Sequence, residues 1–455
     1  NQNKTKSYPM TEIITLLKCI LPITQKKEQK HFQIIIQALL SMRGRVTMLG
    51  LSRWSEKGGS YRTITRFFHE KRDWGAINWL FIKTHLIKNK GSVYLLGGDE
   101  VVVSKAGKHS YGLDRFYSSI QNQVIQSLVF LNLSLISVET RKAYPLTTQQ
   151  IIKPNKEGCV KDKSSKSSKV KKSKGKRGRP KGSANKDKQN VELSPYLKFV
   201  QDAIKEALKR INKHIDIVYF VFDGAFGNNY ATQMVKQCGL DIISKLQKNS
   251  ALSFPNEEEY SGKGPHKQYG DDIVYDKLPE KHLKSTVMDK DKNITTKVYQ
   301  MEMLHRKFAD RLNIVIIQKI NTSTGRLAHV TLFSTDLNLG YEKVIDYYSL
   351  RFQIEFVFRD AKQYWGMEDF MNIKKTPIEN WANLSTFMVN FSHGLRKESH
   401  MKEMSILDLK AHYHGLKYVK EVFKLLPDFA NDYLIKKVSA KIANLGAINP
   451  SQEVA

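Results

Sequence analysis

Residues 215–222 constrain the fold of this 455-residue chain more than any other stretch: they are nearly all apolar, and the run stops at Asp223 and Gly224. A strand that is apolar on both faces is buried on both, the habit of parallel sheets covered by helices. A carboxylate just past its end sits at the carboxyl edge of the sheet, where α/β folds gather their ligand sites. Asp216, at the start of the run, is the competing carboxylate and would lie at the far end. Residues 241–246 read as a second apolar strand. An α/β fold with its chemistry at one sheet edge is therefore expected.

Residues 11–90 read as helices, with apolar residues at helical spacing in Ile13, Leu16, Leu17 and Ile20 and again in Phe32, Ile35, Ile36, Leu39 and Leu40. Within them, residues 51–70 suggest two short helices around Lys57, Gly58 and Gly59, the second opening with Ser60, Tyr61 and Arg62. A basic helix after a glycine turn suits docking in a DNA major groove; an ordinary helical hairpin has the same pattern. From Ser92 the pattern turns to β-type runs at 93–96, 101–103 and 124–138, read as three successive strands. Asp99 and Glu100 follow Gly97 and Gly98 with apolar residues on both sides. A carboxylate set in a strand built for burial is costly unless it is paired or binds a cation.

The chain carries 74 Lys and Arg against 44 Asp and Glu, a formal +30, which points to a polyanionic partner, nucleic acid before membrane. Residues 153–188 alone hold fifteen Lys and Arg against three acids, a net +12, in a Ser-, Gly- and Lys-rich stretch expected to be disordered when free. A solvated charge run is the ordinary reading. Its centre, Arg177, Gly178, Arg179 and Pro180, resembles an AT-hook, in which two arginines enter the narrow minor groove of A/T-rich DNA. Cys19, Cys159 and Cys238 are too few and too far apart for a disulfide framework or a CxxC zinc site. No apolar run approaches the ~20 residues of a membrane span, and the start has no signal-peptide pattern.

Ser194 and Pro195 open an amphipathic helix to about residue 212. Between 247 and 340, strands are expected near 273–275, 296–303, 312–320 and 327–334, a β-rich insertion. Beyond Pro377 the chain reads as helical, with Trp381, Phe387, Met388, Phe391 and Leu395 on one face. In between, Tyr348, Arg351, Glu355 and Lys362 fall within about 60° of one another on a helix, opposite Leu350, Ile354, Val357 and Ala361. One face packs; the other presents a carboxylate among cations. Asp99, Asp223 and Glu355 together could chelate two hard cations, and phosphodiester chemistry uses such clusters. All-oxygen donors favour Mg²⁺, with Mn²⁺ as a substitute.

The spacing from Tyr348 through Arg351 and Glu355 to Lys362 reproduces, without a gap, the Tyr-Arg-Glu-Lys signature. The chain thus resembles bacterial insertion-sequence DDE transposases of the insertion-sequence-four type superfamily. That resemblance implies an RNase H-like catalytic core interrupted by a β-rich insertion and flanked by helical segments. Its parts would be a DNA-binding domain at 1–90, core at 91–150, basic insert at 151–190, core at 191–246, insertion at 247–340, the Glu helix at 341–376 and a C-terminal domain at 377–455. It also implies a metal-binding catalytic triad of Asp99, Asp223 and Glu355, with Tyr348, Arg351 and Lys362 gripping DNA phosphates. Double-stranded DNA, a homodimer and a bacterial cytoplasm beside the nucleoid complete the implied setting. A catalytically silent DNA-binding relative and a structure-specific RNase H-like nuclease are the alternatives. Some relatives stack a flipped base on a Trp of the insertion; here that region has no Trp, and Tyr260, Tyr269, Tyr275 and Tyr299 are the substitutes.

Overall fold

Two adjacent glycines set how closely the layers of this molecule approach one another. The computed structural model describes residues 9–56, 58–87, 91–118, 121–153, 187–257, 259, 262, 267–289, 291–398, 401–425, 438–439 and 442. In it the segments 93–96 and 101–103, expected as two strands, are parts of one strand, β1 (Tyr94–Ser104). Gly97 and Gly98 do not turn the chain. A Cβ on Gly97 would lie 2.5 Å from Ile136 and 2.9 Å from Ile354, and one on Gly98 2.8 Å from Phe222. Both glycines are thin places where neighbouring elements press against the strand.

The chain continues through β2 (Asp114–Ser118), β3 (Gln123–Ser137) and β4 (Lys142–Ile151). β4 is absent from the sequence reading because Pro145 interrupts it and Gln149 and Gln150 dilute its apolar character. Pro145 is accommodated because β4 lies at an edge and its register against β3 shifts between Leu133 and Ser134. Helix α6 (Pro195–Ile211), capped by Ser194, leads to β5 (Tyr219–Val221), α7 (Asn229–Lys236) and β6 (Asp241–Lys245). The apolar run at 215–222 is thus mostly not strand; three of its residues pair. The resulting order is β4–β3–β1–β5–β6. Strand β3 is antiparallel to β1 and β4, whereas β1, β5 and β6 are parallel.

The β-rich stretch comprises β7 (Leu252–Pro255), β8 (Tyr269–Asp272), β9 (Leu283–Asp289), β10 (Ile294–His305), β11 (Leu312–Asn321) and β12 (Leu327–Ser334). It extends the same sheet, because β12 pairs antiparallel with β6, placing Leu332 opposite Lys245. The strand expected at 273–275 is found at Tyr269–Asp272. Strand β9 was not read from the sequence: Val287 and Met288 are both exposed, so it lacks the alternation that marks a half-buried strand.

Ahead of the sheet come α1 (Pro9–Leu17), α2 (Lys26–Ser41), α3 (Met48–Trp54), α4 (Tyr61–His69) and α5 (Trp74–Phe81). Thr47, Ser60 and Asp73 cap the last three by accepting backbone N–H groups that would otherwise be orphaned. After the sheet come α8 (Tyr341–Leu350), α9 (Phe352–Gln363), α10 (Lys375–Glu398) and α11 (Ile406–Leu425). Helix α10 joins the two halves. Its Phe387 packs against Phe32, Trp74 and Phe81 of the leading helices, while its Asn383 bonds to Thr148 of β4.

Candidate active site

Successive strand residues face opposite sides, so Asp99 and Glu100 leave β1 in opposite directions. Asp99 faces α9 together with Gly97, against which Ile354 rests. Glu100 faces α6, where the Tyr196 hydroxyl donates to its carboxylate. Asp223 ends the neighbouring strand as the cap of a short 3-10 turn: its Oδ1 accepts the Ala225 N–H at 3.0 Å, and its carbonyl accepts the Ser244 hydroxyl at 2.6 Å. Gly227 keeps this turn tight against β6, since a Cβ there would lie 2.3 Å from the Lys245 carbonyl oxygen.

The helix expected across 348–362 is two helices meeting at Arg351. The Arg351 N–H bonds the Tyr348 carbonyl at 3.2 Å and the Ile354 N–H bonds the Arg351 carbonyl at 2.9 Å, three-residue spacings that tighten the turn. Arg351 keeps right-handed helical angles, φ −51° and ψ −36°, so the charged stripe survives the junction. Its guanidinium is forked between two carboxylates, with Nη1 2.6 Å from Asp99 Oδ2 and Nη2 2.8 Å from Glu355 Oε1. Lys362 is tied down elsewhere, 2.9 Å from the Val102 carbonyl and 2.8 Å from Glu368.

Burial pushes the Asp99 carboxyl up to about 6; Arg351 opposes this, and the charges of Asp223 and Glu355 add to it. Burial likewise raises Glu100, with Asp223 contributing, and raises the Tyr348 hydroxyl, on which Asp223 and Asp99 also act. The three candidate carboxylates therefore share one electrostatic neighbourhood. Their chemistry suits a hard divalent cation, yet among the described residues no group of three metal-capable side chains stands close enough to hold one. The present arrangement does not fit a metal, because Arg351 engages two of the three carboxylates.

The other expected residues lie apart. Tyr61 and Arg62 are exposed at the start of α4. Arg177, Gly178, Arg179 and Pro180 lie outside the described residues, as does Tyr260. Asp216 is exposed at the opposite end of its run. Tyr299 is buried, and Tyr275 lies flat on His329 with ring centres 4.3 Å apart. Sequence reasoning missed Tyr196 as a neighbour of the site; the contact spans 96 residues, and nothing local announces it. Among the described residues no helix is long and apolar enough to cross a membrane.

Comparison with known proteins adds two findings. The chain is similar to the transposase for insertion sequence element IS231E of Bacillus thuringiensis subsp. finitimus, at 26% identity over 31% of this chain and 34% of the relative. The matched stretch thus spans about a third of that relative's length. A model of the DDE superfamily endonucleases matches residues 16–307, well over half of the chain, and includes Asp99 and Asp223 but ends before α9. Two carboxylates on adjacent parallel strands, inside a match of that extent, carry the assignment: the chain belongs to the DDE superfamily endonucleases.

Proposed function

We propose that this chain is a DNA transposase of the insertion-sequence-four type, which cuts at the terminal inverted repeats of its element and joins the freed ends to target DNA. The observation that carries the reading is the strand order β4–β3–β1–β5–β6 with only β3 reversed. It supports an RNase H-like core in which Asp99, Asp223 and Glu355 form one acidic set. The name of the IS231E relative supports the same activity.

In this reading one strand is first hydrolysed to free a 3′-hydroxyl, which then attacks the opposite strand or the target. Arg351 offers a forked donor pair, Lys362 a point charge and Tyr348 a hydroxyl, which together suit the phosphate whose charge grows in each step. Magnesium, or manganese in its place, is the cofactor the reading calls for; Asp99, Asp223 and Glu355 are the residues that would hold it, and it would supply a hard divalent charge at the scissile phosphate. Exposed Tyr61 and Arg62 make α4 the proposed reader of the terminal repeats. Arg177, Gly178, Arg179 and Pro180 are the proposed minor-groove contact. The seven-part domain division, a homodimer pairing two ends and residence at the nucleoid belong to the same proposal.

The test is magnesium-dependent cutting of duplex DNA carrying the element's own inverted repeats. Asp99→Asn, Asp223→Asn and Glu355→Gln are each expected to lower cutting by roughly a thousandfold or more while end binding persists. Full cutting by one variant would remove that residue from the set. End binding without any cutting by the native chain would favour a silent repressor, and cutting without end specificity or joining would favour a nuclease.

A further inference from the structure

At the candidate site a single guanidinium faces two carboxylates, Asp99 and Glu355. Both oxygens of Asp99 are engaged: Oδ1 accepts the Glu100 N–H at 2.8 Å and Oδ2 accepts from Arg351 at 2.6 Å. The second arm of the same guanidinium holds Glu355 at 2.8 Å. The side chains of Arg351 and Asp99 are each only 17% exposed, so water screens their pair far less than a surface salt bridge. A divalent ion bridging Asp99 Oδ2 and Glu355 Oε1 would compete with Arg351 for the same two oxygens. It would also place its charge beside a guanidinium that does not lose its proton. Arg351 and such an ion cannot occupy this place together.

We propose that Arg351 is an exchangeable counter-ion: it holds Asp99 and Glu355 in the DNA-free protein and must swing off them before these carboxylates can take a divalent cation. This inference rests on the proposed reading of Asp99, Asp223 and Glu355 as the metal-binding set. A backbone phosphate is the natural competitor, because it offers a guanidinium the same two-oxygen geometry as a carboxylate. DNA that draws Arg351 away frees the carboxylates, so DNA and metal each tighten the binding of the other by the same factor. The role falls on Arg351 alone of the two stripe cations. Lys362 is held by the Val102 carbonyl and Glu368 and touches neither Asp99 nor Glu355. The consequence is an order of assembly in which stray metal is refused until a DNA strand is in place.

The test is direct Mn²⁺ binding to the full chain, read as the loss of the free-ion electron paramagnetic resonance signal, without turnover. In the absence of DNA, Arg351→Gln is expected to bind Mn²⁺ roughly tenfold to a hundredfold tighter than the native chain, with Arg351→Lys between them. A merely structural role for Arg351 would weaken binding instead. A short 5′-phosphorylated duplex should tighten Mn²⁺ binding to the native chain by a similar factor and leave Arg351→Gln almost unchanged. An equal effect of DNA on both proteins overturns the proposal. If Arg351→Gln does not fold, Arg351→Met keeps the apolar stem and serves in its place. Adding Asp99→Asn separates the two layers of the argument. Tightened binding that survives Asp99→Asn overturns the proposal through the carboxylate reading. Binding that Asp99→Asn abolishes but that removing the guanidinium does not tighten overturns the counter-ion alone.

Discussion

Asn383 and Asp99 both put a polar head group where little water reaches, and they are satisfied by opposite means. Asn383 is neutral and faces the backbone of β4: its Oδ1 accepts the Thr148 N–H at 3.0 Å and its Nδ2 donates to the Thr148 carbonyl at 2.7 Å. The amide thereby completes an edge strand as another strand would. Asn380 and Asn390, on the same helix, do similar work, bonding Trp74 and the carbonyls of Phe68 and Glu70 in one case and Asn78 and the Pro145 carbonyl in the other. Asp99 is charged, and its strongest partner is a long side chain rather than backbone. Backbone-matched neutral groups build permanence, since neither partner has anywhere else to go. A buried charge held by a long side chain costs stability and leaves that side chain free to take another partner.

The largest stability effect should come from the permanent side. Asn383→Leu preserves volume but strands the Thr148 N–H and carbonyl, so a loss of about 2–4 kcal/mol is expected in urea unfolding. A loss under about 1 kcal/mol would mean that β4 does not need its helical neighbour. Asp99→Asn should act in the other direction. The folded-state pKa of about 6 lies above the ordinary value of 3.8, so the ionised form is disfavoured in the folded chain. Native stability therefore falls as pH rises from about 4 through 6, because the folded state releases a proton the unfolded state has already lost. Asp99→Asn is expected to be about 1–3 kcal/mol more stable than the native chain at pH 8, with the difference vanishing toward pH 4. A variant less stable at pH 8 would erase the contrast between the two regions.

What the sequence discloses about these regions follows from the range of the forces involved. Arg351 and Glu355 are four residues apart, and helical spacing alone pairs them. The other arm of Arg351 reaches Asp99 across 252 residues, and only the folded sheet supplies that contact. The strand end before Asp223 was legible because hydrophobicity stops abruptly there, though the same hydrophobicity overstated the strand: only Tyr219–Val221 pair, and Asp216 and Val218 are exposed. β4 was illegible because Pro145 interrupts it and its open edge is completed only by Asn383 and Thr386, 235 and 238 residues from Thr148. Gly97 and Gly98 resemble a turn in sequence, and their role appears only against Ile136, Ile354 and Phe222.

The smallest effect belongs to a neutral hydrogen bond that water can replace. Ser60 caps α4 by accepting the Thr63 N–H at 3.3 Å in an exposed position. Ser60→Ala should therefore cost about 0.5–1 kcal/mol, with no dependence on pH. Ser60→Asp carries the comparison over to function. Asp caps a helix as well as Ser, and its charge suits the helix N-terminus, so stability should hold. The same carboxylate stands next to exposed Tyr61 and Arg62 and would repel a DNA backbone lying along α4. A severalfold loss of affinity for duplex DNA, shrinking as salt is added and unaccompanied by any loss of stability, is the outcome that assigns α4 to DNA. Unchanged affinity would leave α3 and α4 as a helical hairpin whose cap serves the fold alone.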